Sequence, residues 1–479
     1  MVGGGPAGSA AALRLAQLGH DVCVLERKPF PRPHVGEALS GGVRAQLEFL
    51  GVAGEIERAN FLRFDRSELS WSTDGFERRP MNPNALTVDR ALFDQILLDA
   101  AQHAGVRTVQ PAIARRAERS PTCWHLGAEA NGESISIRAQ FIVDASGRLG
   151  FLPRRRIETS PRTLALYGYW RGAGLPVTPR IEAGARQWYW GSPVPGGRYN
   201  AMVFLDPNMR RDGRATLQQR YHALIEASHL FAGASAAELE GGVLSCDATS
   251  FEDKQCFGDG FLKIGEAAFA IDPLSSSGVQ AAIQSALAAS IAVHTALSKP
   301  AATPVAQSFY AQHVRHAAAQ HAAWAVQNYR EHRRHSDEEF WRRRVTAGNA
   351  VDAPVERGVS RQDWRKDNRV MISPDVKIEN APCAVGDFVE LRPVVSHRAL
   401  SRPVAFICGL DLPAFLRTMP VASTVTDLER ALSPVLSEQD IPRVLGWLFE
   451  RGLLQTEASQ ATELAAGGLR QKDASRHHA

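Results

Sequence analysis

The chain has 479 residues, of which 44% are hydrophobic and 22% charged, with a formal net charge of +4. That length is enough for two or three domains. We find neither an export signal nor an apolar run of the length that a membrane span needs, so we expect a cytoplasmic protein without membrane contact. The six cysteines show no C-x-x-C spacing and the basic residues are interspersed with acidic ones. We therefore expect no disulfide frame, no metal site and no nucleic-acid partner.

A glycine-rich turn opens the chain and matches G-x-G-x-x-G over residues 3–8. In this pattern Gly3 permits the tight turn, Gly5 lets backbone amides approach a pyrophosphate, and Gly8 lets the next helix pack against the sheet. That helix is predicted over 9–18, and its N-terminus attracts anions. A strand then ends at Glu26, about 20 residues past the turn, where a carboxylate would accept ribose hydroxyls. The predicted dinucleotide site comprises Gly3, Gly5, Pro6, Ala7, Gly8, Glu26 and Arg27.

Only Met1 and Val2 precede this turn, although the strand before it is ordinarily central in the sheet and buried on both faces. We expect the natural chain to begin upstream of Met1. The alternative interpretation, a glycine-rich loop before an ordinary helix, leaves Glu26 unexplained.

Hydrophobic periodicity predicts alternating helices and strands up to residue 348. In chain order these are a helix over 43–50, a sheet segment over 61–77, a helix over 91–103 preceded by Arg90, a strand over 138–143, antiparallel sheet that includes 164–170 and 188–190, a strand-to-loop segment over 260–266, a helix over 278–297, and mostly helical structure over 303–348. A polar linker is predicted over 348–368.

The C-terminal part has a different pattern. Strands are predicted over 388–391 and 404–407, helices over 412–419, from a capping box at 426–429 and from Ser437 to 449, and a final short strand at 452–454. This order predicts a winged-helix-like α+β module. The predicted boundaries are an FAD-binding domain over 1–162 that includes substrate-sheet residues 60–86, a substrate-binding sheet over 163–254, a return to the FAD-binding domain over 255–300, a helical region over 301–350, the C-terminal module over 370–457, and a disordered tail over 458–479.

Three motifs together resemble one superfamily: the glycine turn, V-D-A-S-G at 143–147, and G-E-A-A-F-A-I-D-P-L-S-S-S-G-V at 265–279. Over about residues 1–345 the chain resembles the FAD-dependent monooxygenases, specifically the branch that holds flavin-dependent halogenases and geranylgeranyl reductases. The resemblance implies an α/β fold: a Rossmann-like FAD domain with an inserted antiparallel substrate-binding sheet.

The same resemblance implies roles for individual residues. Gly265 and Glu266 would lie by the pyrophosphate and ribityl chain, although most hydroxylases of this superfamily have Asp in place of Glu266. Asp272 and Pro273 would border the isoalloxazine, and residues 277–279 would present backbone amides to its pyrimidine end. The further implied FAD contacts are Arg90, Asp144, Gly147, Gly278 and Val279.

The segment Trp188-Tyr189-Trp190-Gly191-Ser192-Pro193 resembles the halogenase signature W-x-W-x-I-P, with Ser192 in place of Ile. The implied flavin-facing residues are Pro273, Ser277, Trp188 and Trp190. Halogenases also carry a lysine in a stretch like F-x-x-K-x-G; the corresponding stretch, 61–66, has none. The alternative for the tryptophans is ordinary packing on a sheet face.

The favoured hypothesis is therefore an FAD-dependent monooxygenase that hydroxylates an aromatic ring through a flavin hydroperoxide. The C-terminal module resembles peptide-clamping domains, and the whole chain resembles flavoproteins of tryptophylquinone cofactor biogenesis, which implies a tryptophan in a peptide or protein partner. NAD(P)H or a separate flavin reductase would supply electrons. Alternatives are a halogenase or free-aromatic hydroxylase, and a non-catalytic flavoprotein adaptor; for the module alone, dimerisation or packing.

Overall fold

A computed structural model describes residues 1–208, 215–231, 237–346, 366–420 and 423–456. The chain divides into two compact units: the first comprises Met1–Val351 and Gly386–Phe388, and the second comprises Asp352–Val385 and Val389–Ala479. Most of the predicted linker at 348–368 and the whole predicted disordered tail at 458–479 lie outside the described residues.

The first unit begins with a parallel arrangement of short strands, as the glycine-turn pattern predicts. Val2 forms parallel bridges with both Leu25 and Asp144, so it lies between two strands. The strands are Cys23–Leu25 beside Arg107–Val109, and Ile142–Asp144 beside Phe261–Lys263, which also pairs with Phe257–Gly258. Three helices pack together here: Pro6–Gln17, Arg90–His103 and Gly278–Ser298.

One helix corrects an expectation about membranes. By length and composition Gly278–Ser298 is apolar enough to cross a bilayer, contrary to the expectation that the chain has no such run. About 61% of its most apolar 18-residue window is buried inside the protein, where the helix contacts Pro6–Gln17 and Thr303–Glu331. A core helix passes the same test, so this feature is weak evidence for a membrane span.

A seven-stranded sheet, here called the substrate sheet, forms the second layer of this unit. Its order is Glu238–Asp247, Leu164–Arg171, Arg198–Leu205, Gln187–Val194, Arg180–Ala183, Arg66–Ser70 and Glu77–Pro80. All neighbours are antiparallel except Arg180–Ala183 and Arg66–Ser70. One face packs on Leu217–Glu226, and the other contributes to a core with Thr303–Glu331 and Glu339–Thr346.

Shorter elements complete the unit. They are the helices Val43–Leu50 and Ala53–Arg58, the strands Ala38–Leu39, Leu86–Thr87, Arg156–Glu158, Phe251–Asp253 and Phe269–Ala270, and the 3₁₀ turns Gly147–Leu149, Gly265–Ala267, Pro273–Ser275 and Pro300–Ala302. A three-stranded meander, Ala112–Arg119, Trp124–Ala130 and Glu133–Ala139, carries no predicted element over most of its length. The strand predicted over 138–143 is interrupted: one strand ends at Ala139 and the next begins at Ile142.

The second unit is an α+β module with its own core. Arg369–Ile372 is the central strand between Ser423–Thr424 and Leu454–Thr456, and two further strand pairs are Lys377–Val385 with Phe388–Ser396 and Phe406–Ile407 with Leu410–Asp411. The helices are Leu412–Thr418, Val425–Leu432 and Asp440–Glu450. The prediction of a capping box at 426–429 is wrong: Thr424 and Asp427 form it, because the helix begins at Val425. The winged-helix-like assignment stays a prediction.

Candidate functional site

The glycine turn brings backbone segments too close together for side chains at Gly3 and Gly8. Gly3 has φ +102°, and a Cβ placed there would lie 2.4 Å from the carbonyl oxygen of Ala145. A Cβ on Gly8 would lie 2.0 Å from the carbonyl oxygen of Gly3. Helix Pro6–Gln17 begins after Gly5 without a side-chain cap. Its first-turn amides and the positive end of the helix dipole are therefore available to an anion.

Glu26 and Arg32 complete this end of the site. Glu26 accepts hydrogen bonds from the backbone amides of Gly4 (2.7 Å) and Lys28 (2.9 Å). The Nε of Arg32 lies 3.6 Å from Glu26 and its buried Nη1 lies 3.4 Å from Asp94, an ion pair in which Nη1 makes no hydrogen bond within the described structure. A buried guanidinium nitrogen without a hydrogen bond is costly, and a phosphate oxygen would satisfy it. Arg32 is not among the predicted site residues.

A cavity of about 780 Å³ runs from this turn to the substrate sheet. Fourteen of the predicted site residues line it: Gly3, Gly5, Pro6, Ala7, Glu26, Arg27, Arg90, Gly147, Trp190, Gly265, Glu266, Pro273, Gly278 and Val279. Five others are absent from its lining: Gly8, Asp144, Trp188, Asp272 and Ser277.

Two of these five residues are carboxylates that organise backbone. Asp144 is fully buried and accepts hydrogen bonds from the amides of Ser146, Phe151 and Leu152 at 2.8–3.0 Å, which holds the cavity-lining loop after it. Asp272 accepts from the amide of Leu274 and the hydroxyl of Tyr329. Burial raises the pKa of Asp272. Both carboxylates therefore act on the cavity through the backbone they hold.

The two predicted tryptophans have different surroundings. Trp190 lines the cavity, whereas Trp188 is 1% exposed and stacks on Phe204 with ring centroids 3.8 Å apart. Trp188 therefore belongs to the core beneath the wall. At the other motif, Ser277 precedes helix Gly278–Ser298 without capping it, so the first amides of this helix have no side-chain acceptor there.

Arg90 and Glu266 line the cavity but already have partners. The guanidinium of Arg90 donates to both oxygens of Asp94 (2.9 and 3.1 Å) and to the carbonyls of Val35 and Gly36. The charge of Asp94 contributes to a raised pKa of Arg90, although burial opposes it. Glu266 accepts from Arg148 at 3.0 Å. Arg90 thus supports the loop that carries residues 35 and 36.

The substrate-sheet wall of the cavity is mostly aromatic or apolar. The substrate-sheet residues that line it are Ala165, Tyr167, Trp190, Met202, Phe204, Cys246 and Asp247, and the carboxylate of Asp247, at the end of its strand, lies 3.7 Å from Arg148. Burial raises the pKa of Tyr167 to about 12 and that of Cys246 to about 11, so both are neutral at pH 7. No lysine or arginine among the described residues lines this wall. Arg63, in the stretch where halogenases place lysine, pairs with Glu57 at 2.8 Å and does not line the cavity.

One charged residue on this side was not predicted. Glu37 lines the cavity, is 4% exposed, and accepts hydrogen bonds from Tyr169 and Asn200 of the substrate sheet. Glu37 follows Gly36 in a stretch for which no helix or strand is predicted, so its sequence position does not indicate these partners.

The residues at the glycine turn fit a dinucleotide cofactor. An uncapped helix start and an unsatisfied buried arginine nitrogen suit a pyrophosphate, and a buried glutamate lies beside them. The uncapped start of helix Gly278–Ser298 lies at the same cavity and suits the electron-rich end of a reduced flavin.

Comparisons with known proteins agree with this geometry. Residues 73–359 match the tryptophan halogenase family and residues 1–53 a NAD(P)-binding Rossmann-like domain. A tryptophan 2-halogenase of Chondromyces crocatus is 32% identical over 65% of this chain and 63% of its own length. A flavin-dependent halogenase of Armillaria mellea is 30% identical over 65% and 67%. The chain thus spans about two thirds of these relatives.

Two solved structures resemble most of the chain. The flavin-dependent halogenase CmlS matches with a TM-score of 0.75 and 22% identity over 95% of both chains, a likeness of fold. The peptidyl tryptophan dihydroxylase QhpG, essential for tryptophylquinone cofactor biogenesis, matches with a TM-score of 0.70 and 26% identity over 94% of this chain and 98% of its own.

Proposed function

Since the chain belongs to the tryptophan halogenase family of flavin-dependent oxidoreductases, we propose that it uses FAD to hydroxylate an aromatic ring, specifically a tryptophan in a peptide or protein partner. One observation carries the choice of hydroxylation. The described cavity wall formed by the substrate sheet is aromatic and lacks a lysine. An ammonium group that could handle hypohalous acid therefore has no counterpart there.

The chain's own residues would divide the work. Reduced FAD, when bound, supplies the activation of O₂. The first backbone amides of helix Pro6–Gln17 and the guanidinium of Arg32 would hold the pyrophosphate of FAD. The N-terminus of helix Gly278–Ser298 would stabilise the negative charge of the reduced flavin ring. Trp190 and Phe204 would hold an aromatic ring by apolar contact and exclude water from the reacting atoms.

Support for a peptide-borne substrate comes from the likeness to QhpG, which extends over 94% of this chain and so beyond the part that matches the tryptophan halogenase family. The described part of the C-terminal unit includes the hairpin Lys377–Val385 and Phe388–Ser396. An extended peptide can add to an exposed strand edge by backbone hydrogen bonds. We propose this unit as the docking module for the substrate segment.

Halogenation is the second candidate, and a specific observation favours it. Trp190 of the W-x-W-x-S-P segment lines the cavity, and the curated relatives named above are halogenases. Halogenation would require another group to replace the missing lysine. Among the described residues, two charged side chains contact the substrate sheet at the cavity: Glu37, whose charge is opposite to that of lysine, and Arg148, which is already paired with Asp247 and Glu266.

A mass measurement separates these candidates. The FAD-loaded protein is mixed with a flavin reductase, NADH, O₂, bromide and a tryptophan-containing protein encoded in the neighbouring genes, and the intact mass of that protein is recorded. We expect a gain of one or two oxygen atoms that does not depend on bromide. The same partner with each tryptophan replaced in turn by phenylalanine identifies the modified residue. Incorporation of bromine would refute hydroxylation as the reaction.

A further inference from the structure

Glu37 is held in place by hydrogen bonds to both its backbone and its side chain. Its backbone carbonyl accepts from the amide of Val88 at 2.9 Å, next to the pairing of Ala38 with Thr87. Its side chain accepts from Tyr169 at 2.5 Å and from Asn200 at 3.1 Å. The carboxylate is therefore fixed in direction before any ligand binds.

This carboxylate is buried without a salt bridge. Within the described part of the chain its partners are neutral donors: the hydroxyl of Tyr169, the side-chain amide of Asn200 and the backbone amide of Gly36. The nearby guanidinium of Arg90 is bonded to Asp94. The charge of Arg90 acts on this carboxylate without a direct bond. A buried carboxylate whose hydrogen bonds all come from neutral groups is costly to keep, which makes it a candidate for a functional role.

The hydrogen-bonding capacity around Glu37 is incomplete, and what is missing is a donor. A carboxylate offers about four lone-pair positions. Oε2 accepts from Gly36 and Asn200, while Oε1 accepts from Tyr169 alone among the described residues. Beside it, Asn200 is fully buried and its Oδ1 has no hydrogen-bond partner. If the side-chain amide of Asn200 were flipped, its Oδ1 would face the carboxylate of Glu37 and repel it. The orientation with Nδ2 towards Glu37 is therefore fixed.

We infer that Glu37 Oε1 is a substrate-binding group that accepts a hydrogen bond from an uncharged aromatic N–H or O–H donor. The described substrate-sheet residues that line the cavity include no lysine or arginine that would hold an anionic ring acid, and the nearby Arg90 is already bonded to Asp94. A neutral ring with one donor on its edge satisfies both the apolar wall and the open lone pair. The indole N–H is the donor that the proposed function supplies, and the inference rests on that function for its substrate class.

Binding of small probes to the FAD-loaded protein tests this role without relying on turnover. The probes are N-acetyl-tryptophanamide, its 1-methyl analogue and N-acetyl-tyrosinamide, measured by isothermal titration calorimetry. Methylation of the indole nitrogen should weaken binding by about tenfold or more, the effect of one charge-assisted hydrogen bond. In Glu37→Gln this ratio should fall markedly, because a neutral acceptor bonds about half as strongly. The tyrosine probe shows whether an O–H serves equally.

The matched control is Glu182→Gln, which removes the charge of an equally buried carboxylate of the substrate sheet that accepts hydrogen bonds from His229 and does not line the cavity. It should retain the full methylation effect. Equal binding of indole and 1-methylindole probes by the wild type, an unchanged ratio in Glu37→Gln, or no binding of either probe would overturn the inference. If the probes gave one of these results but the partner protein still gained oxygen, the inference about Glu37 would be wrong and the proposed function would remain supported. If the partner protein gained bromine but 1-methylation still weakened binding, the proposed hydroxylation would be wrong and the role of Glu37 would remain supported.

Discussion

Alanine at Gly5 should weaken FAD binding without weakening the fold. Gly5 has φ −70° and ψ −175°, which alanine adopts freely, and a Cβ there would meet only the far end of Arg32, at 3.4 Å. The same Cβ would project from a residue that lines the cavity where the pyrophosphate must approach the backbone. We expect FAD affinity to fall about 10- to 100-fold, or ~1.4–2.8 kcal/mol.

Two further alanine variants distinguish an effect on FAD binding from an effect on the stability of the fold. A Cβ on Gly8 would lie 2.0 Å from the backbone oxygen of Gly3, so Gly8→Ala should destabilise the FAD-free protein. Gly54 is an exposed helical residue whose Cβ would approach only the side chain of Arg58, at 3.5 Å. Gly54→Ala should leave FAD affinity unchanged and stabilise the helix by ~0.5–1 kcal/mol.

The assay is titration of FAD-free protein with FAD, followed by flavin fluorescence, together with urea unfolding of the same FAD-free samples. The expected pattern is an affinity loss with an unchanged unfolding midpoint for Gly5→Ala and a lowered midpoint for Gly8→Ala. If Gly5→Ala binds FAD as tightly as the wild type, the pyrophosphate does not lie against this turn.

Three other predictions concern buried side chains. Lys263→Met should lower the free energy of unfolding by ~3–5 kcal/mol in urea titrations, because it leaves the buried carboxylate of Asp253, now 2.8 Å from the ammonium, without its charge partner; an unchanged midpoint would contradict this. Trp188→Ala should cost ~3–5 kcal/mol of unfolding free energy by the same measurement while FAD still binds, since its ring is core; loss of FAD binding by folded protein would place it at the flavin instead. Burial lowers the pKa of His332 from 6.5 to about 4, so below pH 6.5 the unfolded chain binds a proton that the folded chain does not. The free energy of unfolding should therefore fall as pH drops from 6.5 towards 4, by on the order of 2–3 kcal/mol, and His332→Gln should lack this component; equal pH slopes in both proteins would refute the assignment.

The parts of the fold that sequence predicted are those specified by local pattern. The helix at 43–50 was predicted with its observed bounds, and the helix predicted over 278–297 ends one residue later, at Ser298. The glycine turn is equally local, because the backbone conformation it needs is written in the glycines themselves. The contacts that these elements make were not accessible in this way.

The meander over residues 112–139, most of which no predicted element covers, does have a sequence pattern typical of strands. Trp124, Leu126, Ala128 and Ala130 are buried at every second position, which is strand periodicity. The next two residues, Asn131-Gly132, both have positive φ and form the two-residue turn to Glu133–Ala139. Asn-Gly between alternating segments is among the strongest hairpin signals in a sequence.

Glu37, a cavity residue that was not predicted, contacts residues far away in the sequence. Glu37 meets Tyr169 across 132 positions and Asn200 across 163, and neither partner belongs to a nucleotide-binding motif. The surroundings of Asp144 and Asp272 likewise depend on the fold, and their predicted contacts with FAD stay predictions. Their motif places them beside the cavity, but only the fold shows that their side chains bond backbone amides and Tyr329.

These placements divide the site into two kinds of residue. Five of the fourteen predicted residues that line the cavity are glycines, which offer only backbone, and Asp144, outside the lining, holds a neighbouring loop. Such residues suit a cofactor common to a family and carry little information about the ring that reacts. We therefore expect selectivity to come from the substrate-sheet wall and from Glu37, which lies outside every motif. Halogenase and hydroxylase within this family are then better distinguished by the charge at that wall than by the motifs that identify the family.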